Sequence, residues 1–229
     1  MNRYTSGLLA LLICLPALAG AQSRPAGFDY EDADKRFDRL LVFPTVQGKL
    51  TVDLNCFSQV QTNGKMDETG CYMKDQFDSP FAGAVAKAAK KGRMSPAIID
   101  GKPRMVFLQF RVHFATDGEN QQIKIFLNPG YEENVEAYGE DHIAGQRAFA
   151  KKEPWMKICP KHAQFNVWAR SYLGEDGKAD SVSIVHADGI MPTARCQDAI
   201  RQTIIGSRYT PAYADGVPVP STYVEIFGN

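Results

Sequence analysis

The sequence has no excess of either charge: lysine and arginine number 26, aspartate and glutamate 26, and the formal net charge is +0 at pH 7. A balanced chain gives no electrostatic reason to expect nucleic acid or an anionic membrane as partner. Beyond the first 21 residues no apolar run approaches the roughly 20 residues needed to cross a bilayer. Histidine is scarce: His113, His142, His162 and His186 are the 4 present, and none stands in a metal or triad spacing. No CxxC pair, GxSxG elbow, P-loop, GxGxxG turn or HExxH helix occurs. What these absences leave open is a site assembled from distant residues, so a secreted enzyme stays as an alternative while no catalytic, cofactor or metal residue is nominated. His113 falls on the polar face of a strand and reads as solvated. His162, three residues after Cys159, reads as a loop neighbour of a disulfide.

The first 21 residues read as a secretory signal, with Arg3 as a small positive region, Leu8 to Leu18 as the apolar stretch and Ala19-Gly20-Ala21 as the cleavage site. An uncleaved anchor is the competing reading. Cys14 follows Ile13, where a lipobox requires a small residue. Cleavage near Ala21 removes Cys14 and leaves Cys56, Cys71, Cys159 and Cys196, an even number in an exported chain. Two disulfides are expected, in one of three connectivities, with metal binding as the alternative. If the first hairpin turns on Asn63-Gly64, residues whose numbers sum to 127 face one another, as 56 and 71 do. Directly opposed Cα atoms lie within disulfide reach, so Cys56 is assigned to Cys71, worth roughly 3 kcal/mol in the loop-entropy account. Elimination leaves Cys159 with Cys196.

A repeat organises the rest. The stretch RMSPAIIDGKP from Arg93 to Pro103 returns as RYTPAYADGVP from Arg208 to Pro218, at an offset of 115 (208 − 93). The prolines break a helix and fix φ on approach to a strand, and Asp-Gly supplies a turn between them. One element upstream the offset persists. Phe81, Ala84, Val85, Ala88 and Ala89 form one helical stripe, and Cys196, Ala199, Ile200, Thr203 and Ile204 form the other. Ser79-Pro80 and Gly92 bound the first helix, and Thr193 and Gly206 the second. Farther upstream each copy has a hairpin signal, Asn63-Gly64 between Leu50 and Gly70, and Asp176-Gly177 between Phe165 and Val185.

Residues 22–30 read as a disordered tail and Glu31 to Leu41 as a short amphipathic helix, together the segment 22–44. Val106, Leu108, Phe110, Val112 and Phe114 alternate with polar residues as a half-buried strand, followed by Thr116-Asp117-Gly118-Glu119 and a further strand, Ile123 to Leu127. The first module is thus placed at 45–127 with an extra hairpin. A connector at 128–157 follows, with a helix over His142 to Lys152, and the second module occupies 158–229. In the last strand, Val219 to Phe227, the offset carries Val106 onto Ser221 and Leu108 onto Tyr223. Here the apolar phase reads as broken, with Thr222, Val224 and Ile226 toward the core and Tyr223, Glu225 and Phe227 outward.

The fold class expected is α+β, two small modules, each an antiparallel hairpin plus a third strand with a helix packed on one face. Gly64 and Gly177, the pairs Pro96-Ala97 and Pro211-Ala212, and the turns Gly101-Lys102-Pro103 and Gly216-Val217-Pro218 occur in an order that resembles the C-terminal domain of TonB, the periplasmic end of the energy transducer for outer-membrane transport. The resemblance covers roughly residues 45 to 115 and 160 to 227. TonB's membrane anchor and proline-rich spacer have no counterpart in this reading. The resemblance implies an exported periplasmic binding or interaction protein, without cofactor, whose terminal strand region takes an extended protein or peptide partner as an extra strand. Tyr223 and Glu225 would then be the side-chain readers. The alternatives are an accessory component of TonB-type outer-membrane transport, and sheet edges buried between the modules or in a dimer.

Overall fold

The computed structural model describes residues 23–150, 152–161 and 164–228; the expected signal segment and His162 lie outside the described residues. The first half runs α1 Phe37–Leu40, β1 Leu50–Val60, β2 Met66–Tyr72, α2 Ser79–Lys91, β3 Ala97–Ile99, β4 Lys102–Arg104, β5 Val106–Thr116 and β6 Gln121–Phe126. Between the halves lie α3 Glu132–Tyr138, β7 Gln146–Ala148 and α4 Pro154–Ile158. The second half has β8 Phe165–Leu173, β9 Ala179–Gly189, α5 Ala194–Gly206, β10 Tyr209–Thr210, β11 Ala212–Ala214, β12 Val217–Val219 and β13 Ser221–Gly228. All named strand pairs are antiparallel and helices cover sheet faces, so the fold class is α+β.

The two halves repeat one plan. In the first, β5 pairs with β1 and β1 with β2; in the second, β13 pairs with β8 and β8 with β9. The helices α2 and α5, the hairpin strands β3 and β11, and β4 and β12 all stand 115 apart (194 − 79, 212 − 97, 217 − 102). Both small hairpins turn on an Asp-Gly pair with two positive φ values, 54° and 72° at Asp100-Gly101, 51° and 78° at Asp215-Gly216. That backbone matches the twist of the flanking strands, and Asp and Gly tolerate it. In the larger hairpins, Gly64 and Gly177 press against the backbone after each helix. A Cβ on Gly64 would meet the Met94 carbonyl oxygen at 2.0 Å, and one on Gly177 the Tyr209 carbonyl oxygen at 2.4 Å. Glycine is required there to let hairpin tip and post-helix segment touch.

Each helix buries the stripe its spacing dictates. Phe81, Val85, Ala88 and Ala89 lie under α2 against Leu54, Phe110 and Phe114 in the first core; Cys196, Ile200 and Ile204 lie under α5 against Val167, Ala169 and Tyr223 in the second. Thr193 caps α5 by accepting from the Cys196 amide at 3.3 Å. The first helix begins one step earlier than its serine signal, through a 3-10 turn at Gln76–Asp78 capped by Asp75. Both disulfides form as assigned, Cys56 to Cys71 across the β1–β2 ladder and Cys159 to Cys196 between the end of α4 and α5. Paired cysteines of this kind belong to an oxidising, exported environment. Among the described residues no helix is long and apolar enough to cross a membrane.

Two expectations at the module margins are corrected. Residues 23–30 are not a loose tail: Arg24 and Ile98 exchange two backbone bonds at 2.8 Å, Gly27 pairs with Ser95, and Ala26 is fully buried. Its counterpart lies 119 residues on (143 − 24, 146 − 27), where Ile143 pairs with Tyr213 and Gln146 with Thr210. Within the segment expected as a helix over His142 to Lys152, Gln146–Ala148 therefore form a strand, β7, and Ile143 makes an isolated bridge. It joins β5 on one side and β10 on the other, so a strand of the second half extends the first half's sheet.

Candidate functional site: two sheet edges

The last strand keeps the phase of its counterpart. Ser221, Tyr223, Glu225 and Phe227 are buried, while Thr222, Val224 and Ile226 are half-buried on the other face. Tyr223 and Glu225, expected outward as readers of a peptide, are 2% and 4% exposed, which removes them from that role. The physical reason is their partner. Arg147, fully buried, sends Nε and one terminal nitrogen to the two oxygens of Glu225 at 2.7 and 2.6 Å, and its terminal nitrogens also reach both oxygens of Glu153. Ser207 Oγ accepts a further bond at 3.3 Å. Tyr223 donates its hydroxyl to Glu225, and Trp155 Nε1 donates to Glu153 at 2.9 Å. Burial works against the guanidinium charge, but Glu225 overcompensates and the Arg147 pKa rises well above its ordinary value. Burial pushes the Tyr223 and Tyr209 hydroxyls far up, so both stay protonated donors. With its charges paired to one another, this cluster acts as a joint between β7, the start of α4 and β13.

The free side of β13 is partly covered. Asn134 on α3 donates to the Thr222 carbonyl at 2.8 Å and accepts from the Thr222 amide at 2.9 Å, standing in for a neighbouring strand. Gln109 Nε2 and the Tyr131 hydroxyl both donate to the Val224 carbonyl, at 2.8 and 3.0 Å. Arg170 pairs with Glu133 beside them at 2.6 Å.

The opposite margin of the same sheet is different. Among the described residues β9 pairs with β8 alone. Thr222 directs both backbone groups away from β8, so antiparallel alternation turns those of Trp168 and Arg170 toward β9 and those of Val182 and Ile184 to its free side. The β9 ladder shifts register near each end, which leaves the run from Val182 to His186 straight between two irregularities. On the face away from α5, Ile226, Trp168 and Val185 form a cross-strand row, with Trp168 48% and Val185 49% exposed. Tyr172, 49% exposed, lies on that face opposite Thr222.

Elsewhere the chemistry is sparse. His113 bonds Asp53 at 2.8 Å across β1 and β5, at the surface, and among the described residues no hydroxyl or thiol is bonded to the pair. His142 is buried beside Gly139. Among the described residues no group of three His, Cys, Asp or Glu side chains could hold a metal ion. A groove of about 960 Å³ runs where the Arg24 strap meets Ile143 and Tyr213. Sequence reasoning missed Arg147, Glu153 and Asn134. One signal was available, since Glu225 falls 115 after the core residue Phe110 and a charge at a core position requires a buried partner. No protein-family model, curated protein or solved structure matches the chain.

Proposed function

We propose that this chain is an exported interaction protein, of the kind its TonB-like repeat implies, that receives an extended peptide as an added strand on β9. The observation that carries the reading is the contrast between the two margins of one sheet: on β13 the Thr222 amide and carbonyl and the Val224 carbonyl are bonded by Asn134, Gln109 and Tyr131, while Val182 and Ile184 present backbone groups along an edge with no strand beside it among the described residues. Unpaired edge groups are the chemistry that strand addition satisfies. The Trp168 and Val185 row supplies an apolar shoulder next to that edge. The disulfides accord with the periplasm as the compartment, reached after cleavage near Ala21.

The test uses linear peptides selected from a displayed library on the full chain. Proline at residue 184 removes an amide on the free side and leaves the β8 ladder intact, and Ile184→Ala controls for the lost side chain. Selected peptides should bind Ile184→Pro about tenfold more weakly than Ile184→Ala. Equal binding to the two variants would sink the reading.

A further inference from the structure

We infer that the segment taken by β9 is flanked by basic residues, a statement that rests on β9 being the receiving edge. The straight run of β9 lies between Asp180 and Asp188, both exposed, and neither forms an ion pair among the described residues. From Ala179 to Ala194 the chain has no lysine or arginine. Lys178, just before it, is held by Asp176 at 2.5 Å, and Arg201 on α5 by Asp198 at 2.8 Å. An extended occupant therefore meets a carboxylate at each end, and β9 itself contributes no lysine or arginine between them. Between them it passes Val185 on the aromatic face and Val182 and Ile184 on the face beneath α5, so its middle is apolar or β-branched.

The same charges argue against a second copy of this chain as the occupant. Antiparallel pairing of two β9 strands about Ile184 brings Asp180 of each toward Asp188 of the other, and opposed like charges destabilise a ladder. The register shifts at both ends of β9 shorten the flat edge that self-association needs. A basic-ended segment of a different protein suffers neither penalty.

Two synthetic peptides decide the matter, one of alternating threonine and valine with lysine at each end, the other with glutamate in place of the lysines. Calorimetric titration into the full chain should show the lysine-ended peptide binding roughly tenfold more tightly at low salt, and the difference should shrink toward twofold at 0.5 M salt. In the variant Asp180→Asn with Asp188→Asn the two peptides should bind alike. Equal binding of both peptides to the unaltered chain overturns the charge inference and leaves the edge reading standing. If neither binds, the edge reading itself fails.

Discussion

His142 is 2% exposed, and its Nδ1 lies 2.7 Å from the Gly139 carbonyl, so Nδ1 carries the proton and Nε2 is a buried lone pair without a partner. Burial, with the Arg111 cation nearby, holds its pKa below the ordinary 6.5. Above pH 6.5 both folded and unfolded chains carry the neutral ring and the residue contributes no pH dependence. As pH falls below 6.5 the unfolded chain takes up a proton that the folded one resists, so stability declines, by at most about 1.4 kcal/mol per pH unit. Urea midpoints at pH 7, 6 and 5 should fall for the natural chain, and fall less steeply for His142→Gln. Parallel slopes would show that another group titrates. A residue of this kind is illegible in sequence because it packs beside Tyr138 of α3, a helix placed by its distant contact with Thr222. Tyr223 and Glu225 were misread for a related reason. Alternation was judged by polarity, and a glutamate whose charge is matched by Arg147, 78 residues away, violates polarity without violating phase.

At the scale of elements, α3 holds its place through Asn134, whose side-chain amide replaces a strand against Thr222. Asn134→Leu strands a backbone amide and carbonyl and should cost about 1–3 kcal/mol by urea unfolding. Hydrogen exchange at the Thr222 amide should also accelerate more than at its neighbours bonded to β8. Unchanged exchange there would mean the cap is incidental. The elements that sequence specified are those fixed by local chemistry: the Asp-Gly turns, the two amphipathic helices and the alternating β5. The Cys56–Cys71 register came out correctly through two compensating features. Near the turn Gln59 faces Asp67 and Val60 faces Met66, one short of the sum expected, and the irregularity between Phe57 and Gln59, beside Glu68 at φ 48°, restores it before the cysteines. The strand β7 and the Arg24 strap were missed because each is only a few residues long and owes its shape to partners far along the chain, which no local periodicity records.

At the scale of the whole molecule, the two repeats are not independent beads. The second half's β10 extends the first half's sheet through β7, Gln146 grips the Ala26 backbone with bonds of 2.7 and 3.0 Å, and Arg208 pairs with Asp100. Arg147 sits at the middle of this seam, one buried cation between two buried carboxylates. Removing one partner of such a cluster leaves uncompensated charge in the interior, whereas replacing the whole cluster by apolar side chains does not. Arg147→Met should therefore cost about 3–5 kcal/mol in urea unfolding. The combination of Arg147→Met, Glu153→Leu and Glu225→Leu should recover much of that loss, although Tyr223 and Trp155 then lose their acceptors. If the triple variant were as unstable as the single one, the cluster's value would lie in its hydrogen-bond geometry rather than in charge balance. Because the seam involves both halves, the single variant should also lower their unfolding together, as one transition followed by the fluorescence of Trp155 and Trp168 and by far-ultraviolet dichroism. Separation into two transitions would show instead that Arg147 is what makes the tandem repeat fold as a unit.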